Sequence, residues 1–98
     1  MAKPGCGYRY ITIDGIAVSK PCNLIGVIFT PLAATDYLDV YNGQDVASGE
    51  KVMRLDAVLV DTVKVSTPGG IYCPGGVYVD FSNPGGHCTI VYDTVETV

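Results

Sequence analysis

The sequence has no tryptophan, one histidine and no run of like charges, and each scarcity argues against a class of function. Charged residues make up 16% of the 98 positions, below the usual share of about 25%. The six cations stand singly, at Lys3, Arg9, Lys20, Lys51, Arg54 and Lys64. No basic patch is present to follow a phosphate backbone, which argues against nucleic-acid binding. A net charge of −4 and a pI near 4.5 work equally against an anionic membrane surface. The longest apolar run, around Leu24 to Phe29, has a strand's length and is far too short to span a bilayer. The start, Met1 to Gly7, lacks the apolar core of a secretory signal, so synthesis and folding in a cytosol are expected. No segment has helical periodicity.

What is present is alternation. Hydrophobic residues are 48% of the chain, and twelve glycines and six prolines sit mostly between short apolar segments. Tyr8 to Ile13 predicts a strand, and Asp14-Gly15 a hairpin turn into a return strand over Ile16 to Ser19. Cys22 to Thr30 is apolar on both parities, as in a central strand buried on two faces, with Gly26 marking a bulge or close approach. In Asp36-Tyr37-Leu38-Asp39-Val40-Tyr41-Asn42-Gly43, Leu38 and Val40 take the core face. Tyr37, Asp39 and Tyr41 share the other face, and Asn42-Gly43 ends the strand. Lys51 to Asp56 is read with Met53 and Leu55 inward, because that register buries the most carbon. Leu59 to Ser66 and Val77 to Phe81 alternate again. Pro68-Gly69-Gly70 and Pro74-Gly75-Gly76 bracket Ile71 to Cys73 as turns, and His87 to Asp93 is the last strand. These readings give one all-β domain over 1–98, an antiparallel, jelly-roll-like sandwich of eight or nine short strands. Residues 1–7 form an N-terminal arm and 94–98 a C-terminal tail.

No constellation of catalytic residues emerges. His87 has no Ser or Cys at a recognised motif spacing, so the reading is a non-enzyme. Cys6, Cys22, Cys73 and Cys88 are read first as reduced, buried thiols, with one or two disulfides and zinc as alternatives. Against zinc, there is no Cys-x-x-Cys pair, and adjacent His87 and Cys88 point to opposite faces of one strand. Asp36, Asp39 and Asp45 are a weak alternative set of calcium ligands, more simply read as solvated carboxylates. No cofactor is expected. Tyr37 and Tyr41 on one face are an alternative sugar-stacking platform, as in a CUB-like calcium- or glycan-binding module. Seven tyrosines on a weakly charged surface more simply suit subunit contacts, and Tyr37, Tyr41, Asn83 and His87 are the candidate interface residues.

Two resemblances add to this. Asp36 to Gly43 resembles the CUB-domain hallmark Tyr-Asp-x-Leu-x-Val-Tyr-Asp-Gly, with Thr35 and Asn42 in place of the expected Tyr and Asp. That likeness implies a secreted β-sandwich with Asp36 as a calcium ligand, and we read it as convergence on the same strand and turn chemistry. The whole chain more loosely resembles the small all-β accessory virion proteins of tailed bacteriophages. Pro21-Cys22-Asn23-Leu24-Ile25-Gly26-Val27, Gly76-Val77-Tyr78-Val79-Asp80 and Thr89-Ile90-Val91-Tyr92 carry that likeness. It implies a virion protein, made in the host cytoplasm, that decorates or cements a capsid by bridging major capsid subunits, or sits at the neck or tail. A homo-oligomer, with a trimer favoured, is the matching expectation. The loops Gly43 to Gly49 and Asn83 to Gly86 and the N-terminal arm are further contact candidates.

Overall fold

The computed structural model describes residues 6–57, 61–83 and 85–94; residues 1–5, 58–60, 84 and 95–98 lie outside them, as do the side chains of Cys6, Pro68 and Thr94. Most of the expected arm and tail, and the start of the strand expected over Leu59 to Ser66, thus lie outside the described residues. Cys6 and Gly7, expected in the arm, and Thr94, expected in the tail, belong to strands. Among the described residues there are eight strands and no helix. They are β1 (Cys6–Ile11), β2 (Gly15–Val18), β3 (Cys22–Thr30), β4 (Tyr37–Asn42), β5 (Glu50–Asp56), β6 (Val63–Cys73), β7 (Val77–Phe81) and β8 (His87–Thr94). They form two four-stranded sheets, ordered β1-β8-β3-β6 and β2-β7-β4-β5, with every pairing antiparallel. Each link in the chain except β4–β5 crosses from one sheet to the other. That is the wrapped order of a jelly roll, and it is the sandwich class read from the sequence.

Period-2 alternation builds the core. Leu24, Val27 and Phe29 of β3, Leu38 and Val40 of β4, Val77 and Val79 of β7, and Cys88 and Ile90 of β8 are all fully buried between the sheets. Leu38 stands opposite Leu55, and Val40 opposite Met53, so β5 takes the expected register. A bulge at Val52 then shifts the pairing by one, so that Tyr41 lies opposite Lys51. Lys51 therefore joins the outer face rather than the core face, where the alternation alone had put it.

Three other expectations change. Asp14-Gly15 does not close a hairpin: β1 pairs with β8 and β2 with β7, in different sheets. Asp14 instead pins the crossing, its Oδ1 accepting a hydrogen bond from Phe81 N at 2.7 Å. Pro68-Gly69-Gly70 is not a turn ending a strand, because β6 runs on from Val63 to Cys73. The segment is looped out where the β3–β6 register jumps between Leu24–Ile71 and Gly26–Ser66, and Gly69 and Gly70 supply the left-handed φ of 80° and 78° that this needs. Finally, β3 is central as expected, between β8 and β6, but its second face is only half-covered at Ile25, Gly26 and Ile28.

Candidate interaction surface

The outer face of the β2-β7-β4-β5 sheet carries Tyr37, Asp39 and Tyr41, and it is largely closed over by its own side chains. Asp39 is only 4% exposed. Arg54, opposite it on β5, donates Nε–H to Oδ1 at 2.6 Å and Nη2–H to Oδ2 at 3.0 Å, a bidentate clamp. Lys51, brought to this face by the bulge, adds a contact to Oδ2 at 3.3 Å. Burial alone would raise the Asp39 carboxyl, but the Arg54 and Lys51 hydrogen bonds and charges outweigh it and hold the group below its ordinary range. The Arg54 guanidinium lies 4.0 Å from the Tyr37 ring centre, and Lys51 Nζ 5.8 Å from that of Tyr41. Tyr41 is itself buried, edge-on to Tyr78. Tyr37 and Tyr41 do share a face, and cations roof it.

The other candidate carboxylates are engaged separately. Asp36 sits at the β3–β4 corner, where Oδ2 accepts Leu32 N at 3.1 Å and Ala33 N at 3.0 Å. Its Oδ1 accepts Asn83 Nδ2 at 2.8 Å, tying that corner to the β7–β8 corner. The Asn83 hydrogen bond, then the Ala33 one, hold its carboxyl below the ordinary value despite burial. Asp45 accepts Ser48 N and Oγ, both at 2.7 Å, inside the β4–β5 loop. Asp36, Asp39 and Asp45 do not converge, and among the described residues no group of three or more His, Cys, Asp or Glu side chains is placed to hold a metal ion. Two shallow depressions, of about 340 and 230 Å³, lie beside Asp14 and Phe81 and beside Arg9 and Lys20.

The outer face of the β1-β8-β3-β6 sheet is different. Pairing lines up Tyr10, Thr89, Ile28 and Lys64 in one row across the four strands, and Tyr8, Val91, Gly26 and Ser66 in the next. A third row brings Asp93, Asn23 and Tyr72 together. Tyr8, Tyr10 and Tyr72 are 74%, 60% and 57% exposed. His87 lies at one end with its ring 5.2 Å from that of Tyr10. Lys64 and Asp93 are the only charged side chains in these rows. The chain matches no family model, no curated protein and no solved structure. Its chemistry is therefore read from this geometry alone. Of the interface residues expected from sequence, Asn83 is exposed at a corner, Tyr37 and His87 are half-buried, and Tyr41 is buried. Tyr8, Tyr10 and Tyr72 were not singled out, although the Tyr-x-Tyr parity of β1 places both of its tyrosines on one face, opposite Arg9 and Ile11.

Proposed function

We propose that this domain is a non-enzymatic structural protein of a virus particle. It would work as a capsid decoration or cement protein whose copies associate through the outer face of the β1-β8-β3-β6 sheet and, as that oligomer, bridge neighbouring major capsid subunits. The observation that carries the reading is that bare face: β3 is apolar on both parities, its inner face fills the core, and its outer face has three exposed tyrosines around it, with Lys64 and Asp93 as the charges in its rows. An aromatic, weakly charged patch of this kind is what association surfaces are made of. The jelly-roll order is also a fold used for viral capsid and lectin domains, although a fold by itself does not imply a function.

The size of the face fits a repeated contact. Four strands at about 4.8 Å spacing and eight residues at about 3.4 Å give a face of about 500 Å². A lone stable interface takes about 800 Å² per partner. A contact of this size gains from symmetry and repetition over a shell, as a closed oligomer such as a trimer on a capsid lattice would provide. A place at the neck or tail would use the same face on a different ring of partners. The test is the mass of the protein in solution by light scattering coupled to size exclusion, with and without EDTA. A trimer or larger closed oligomer, unchanged by EDTA, is expected. A monomer whose melting temperature falls in EDTA would overturn the reading in favour of a calcium-binding module.

A further inference from the structure

The β3–β6 pairing places Cys22 directly opposite Cys73, both fully buried on the inner face of the sheet. In the structure both thiols are free, as is the buried Cys88. Residues directly opposite on antiparallel strands have Cα atoms about 4.5–5.5 Å apart and Cβ atoms about 4.5–5.5 Å apart. A disulfide requires Cα atoms about 4.4–6.8 Å apart and Cβ atoms about 3.5–4.5 Å apart. The backbone separation is thus already suitable, and the side chains need to close by about 1 Å. The local chain can give that much. Cys73 is the last residue of β6, beyond the looped-out segment Thr67 to Gly70, and Cys22 is the first of β3, after Pro21. Among the described residues the bond lost is a weak one, from Cys73 Sγ–H to the Ile71 carbonyl at 3.6 Å.

Other pairings are less well placed. Cys88 stands opposite Ile11 on one side and Phe29 on the other. On its own strand pair, Cys6 faces Asp93, and β8 separates β1 from β3. We infer that Cys22 and Cys73 are a cross-strand dithiol that closes to a disulfide under oxidising conditions and staples the central strand β3 to the edge strand β6. The oxidant would be a low-molecular-weight disulfide such as oxidised glutathione. One thiolate attacks a glutathione sulfur and releases one glutathione thiolate. The second cysteine thiolate then attacks the protein sulfur of the mixed disulfide and releases the other. The protein loses two hydrogens, and one oxidised glutathione becomes two reduced molecules.

Burial sets the rate. It pushes the Cys22 thiol up to about 11, with the neighbouring Cys73 adding to the rise, and raises Cys73 as well. Little thiolate is therefore present at neutral pH, and closure proceeds through opening of the sheet end or during folding. The link would span most of the middle of the chain, so it should raise the melting temperature by roughly 10–20 °C.

The test uses the full chain, refolded from the reduced, denatured state in a series of glutathione redox buffers. Free thiols are then alkylated, and the intact mass and proteolytic peptides are read by mass spectrometry. The expected product carries two alkyl groups instead of four, on Cys6 and Cys88, with a peptide linking Cys22 to Cys73, and it melts higher than the same protein after reduction. Four alkylated thiols at the most oxidising poise would overturn the inference, as would a link from Cys22 or Cys73 to Cys6 or Cys88. A Cys6→Ser variant, which leaves the buried pair untouched, should form the same link.

Discussion

Asp80 shows what a single carboxylate costs on the outer face of β7. It stands opposite Asp39 on β4 and close to Asp14, whose own oxygen is committed to Phe81 N. Burial first, and then the Asp14 charge and hydrogen bond and the Asp39 charge, raise the Asp80 carboxyl, and Lys51 only partly opposes them. A raised acid favours folding while it is protonated. Its contribution is fully present below the unfolded value of about 3.9 and is lost as pH rises through the folded value. At neutral pH the charged form is therefore a local strain on stability. Asp80→Asn should raise the melting temperature at pH 7 by about 2–4 °C, the equivalent of about 0.5 kcal/mol in a domain of this size. That figure is kept small because water partly screens the site. The gain should shrink as pH falls and be lost below the unfolded value of about 3.9. Calorimetric scans of both proteins between pH 4 and 8 would check it, and a gain that stayed constant with pH would show that the charge is not the cause. Asp36 and Asp39 have the opposite sign: both are held low in the fold, so their support is present at neutral pH and is lost on acidification.

Among the elements, the corners decide whether strands can change sheets. At the β6–β7 corner Gly76 has φ 88°, and a Cβ there would clash with the Val18 carbonyl oxygen. Its own carbonyl accepts Gly43 N, and Asn42 Oδ1 accepts Gly75 N, so the corner is locked to the end of the β4 strand. Gly69 also has a left-handed φ, yet a Cβ on it would meet nothing within 4 Å. Gly76→Ala should therefore cost about 3 kcal/mol or more, since strain and a backbone clash combine. Gly69→Ala should cost about 1 kcal/mol, from the left-handed backbone alone. Urea denaturation midpoints of the two variants would separate these effects, and equal losses would mean that the Val18 contact yields freely. The same elements show what the sequence could and could not disclose. Parity alone placed Leu38 and Val40 inward, and the absence of a polar parity in Cys22 to Thr30 placed β3 at a sheet centre. Asp14-Gly15 reads locally as a hairpin and is not one, because local turn chemistry carries no information about which sheet the next strand joins. The jelly-roll wrap rests on pairings between residues far apart in the chain, such as Ile11 with Cys88. The candidate site divides in the same way. That Tyr37 and Tyr41 share a face follows from period 2. That Arg54 and Lys51 roof them depends on the β4–β5 register and on the bulge at Val52, neither of which leaves a mark in composition or alternation.

For the molecule as a whole, the two outer faces divide the work of stability and contact. On the β2-β7-β4-β5 side, Asp39, Arg54, Lys51, Tyr37, Tyr41 and Tyr78 satisfy one another, and removing one of them leaves partners unmatched. On the β1-β8-β3-β6 side, Tyr8 and Tyr10 project into solvent and hold little of the fold together. Replacing both, as Tyr8→Ser with Tyr10→Ser, should change the stability of the isolated domain by less than about 0.5 kcal/mol, as is usual for exposed positions. Loss of two aromatic anchors from a buried contact should weaken self-association at least tenfold, since each such anchor contributes about 1–2 kcal/mol or more. Tyr41→Ser should behave in reverse: it removes a buried ring from beneath Lys51, lowering the melting temperature while leaving association intact. Sedimentation equilibrium and thermal melts on the same three proteins read both quantities. If the paired tyrosine change left association untouched while Tyr41→Ser abolished it, the docking surface would have to be moved to the opposite sheet. If both kept association at wild-type strength, contact would have to run through the corner loops around Asp45 and Asn83 instead of through either sheet.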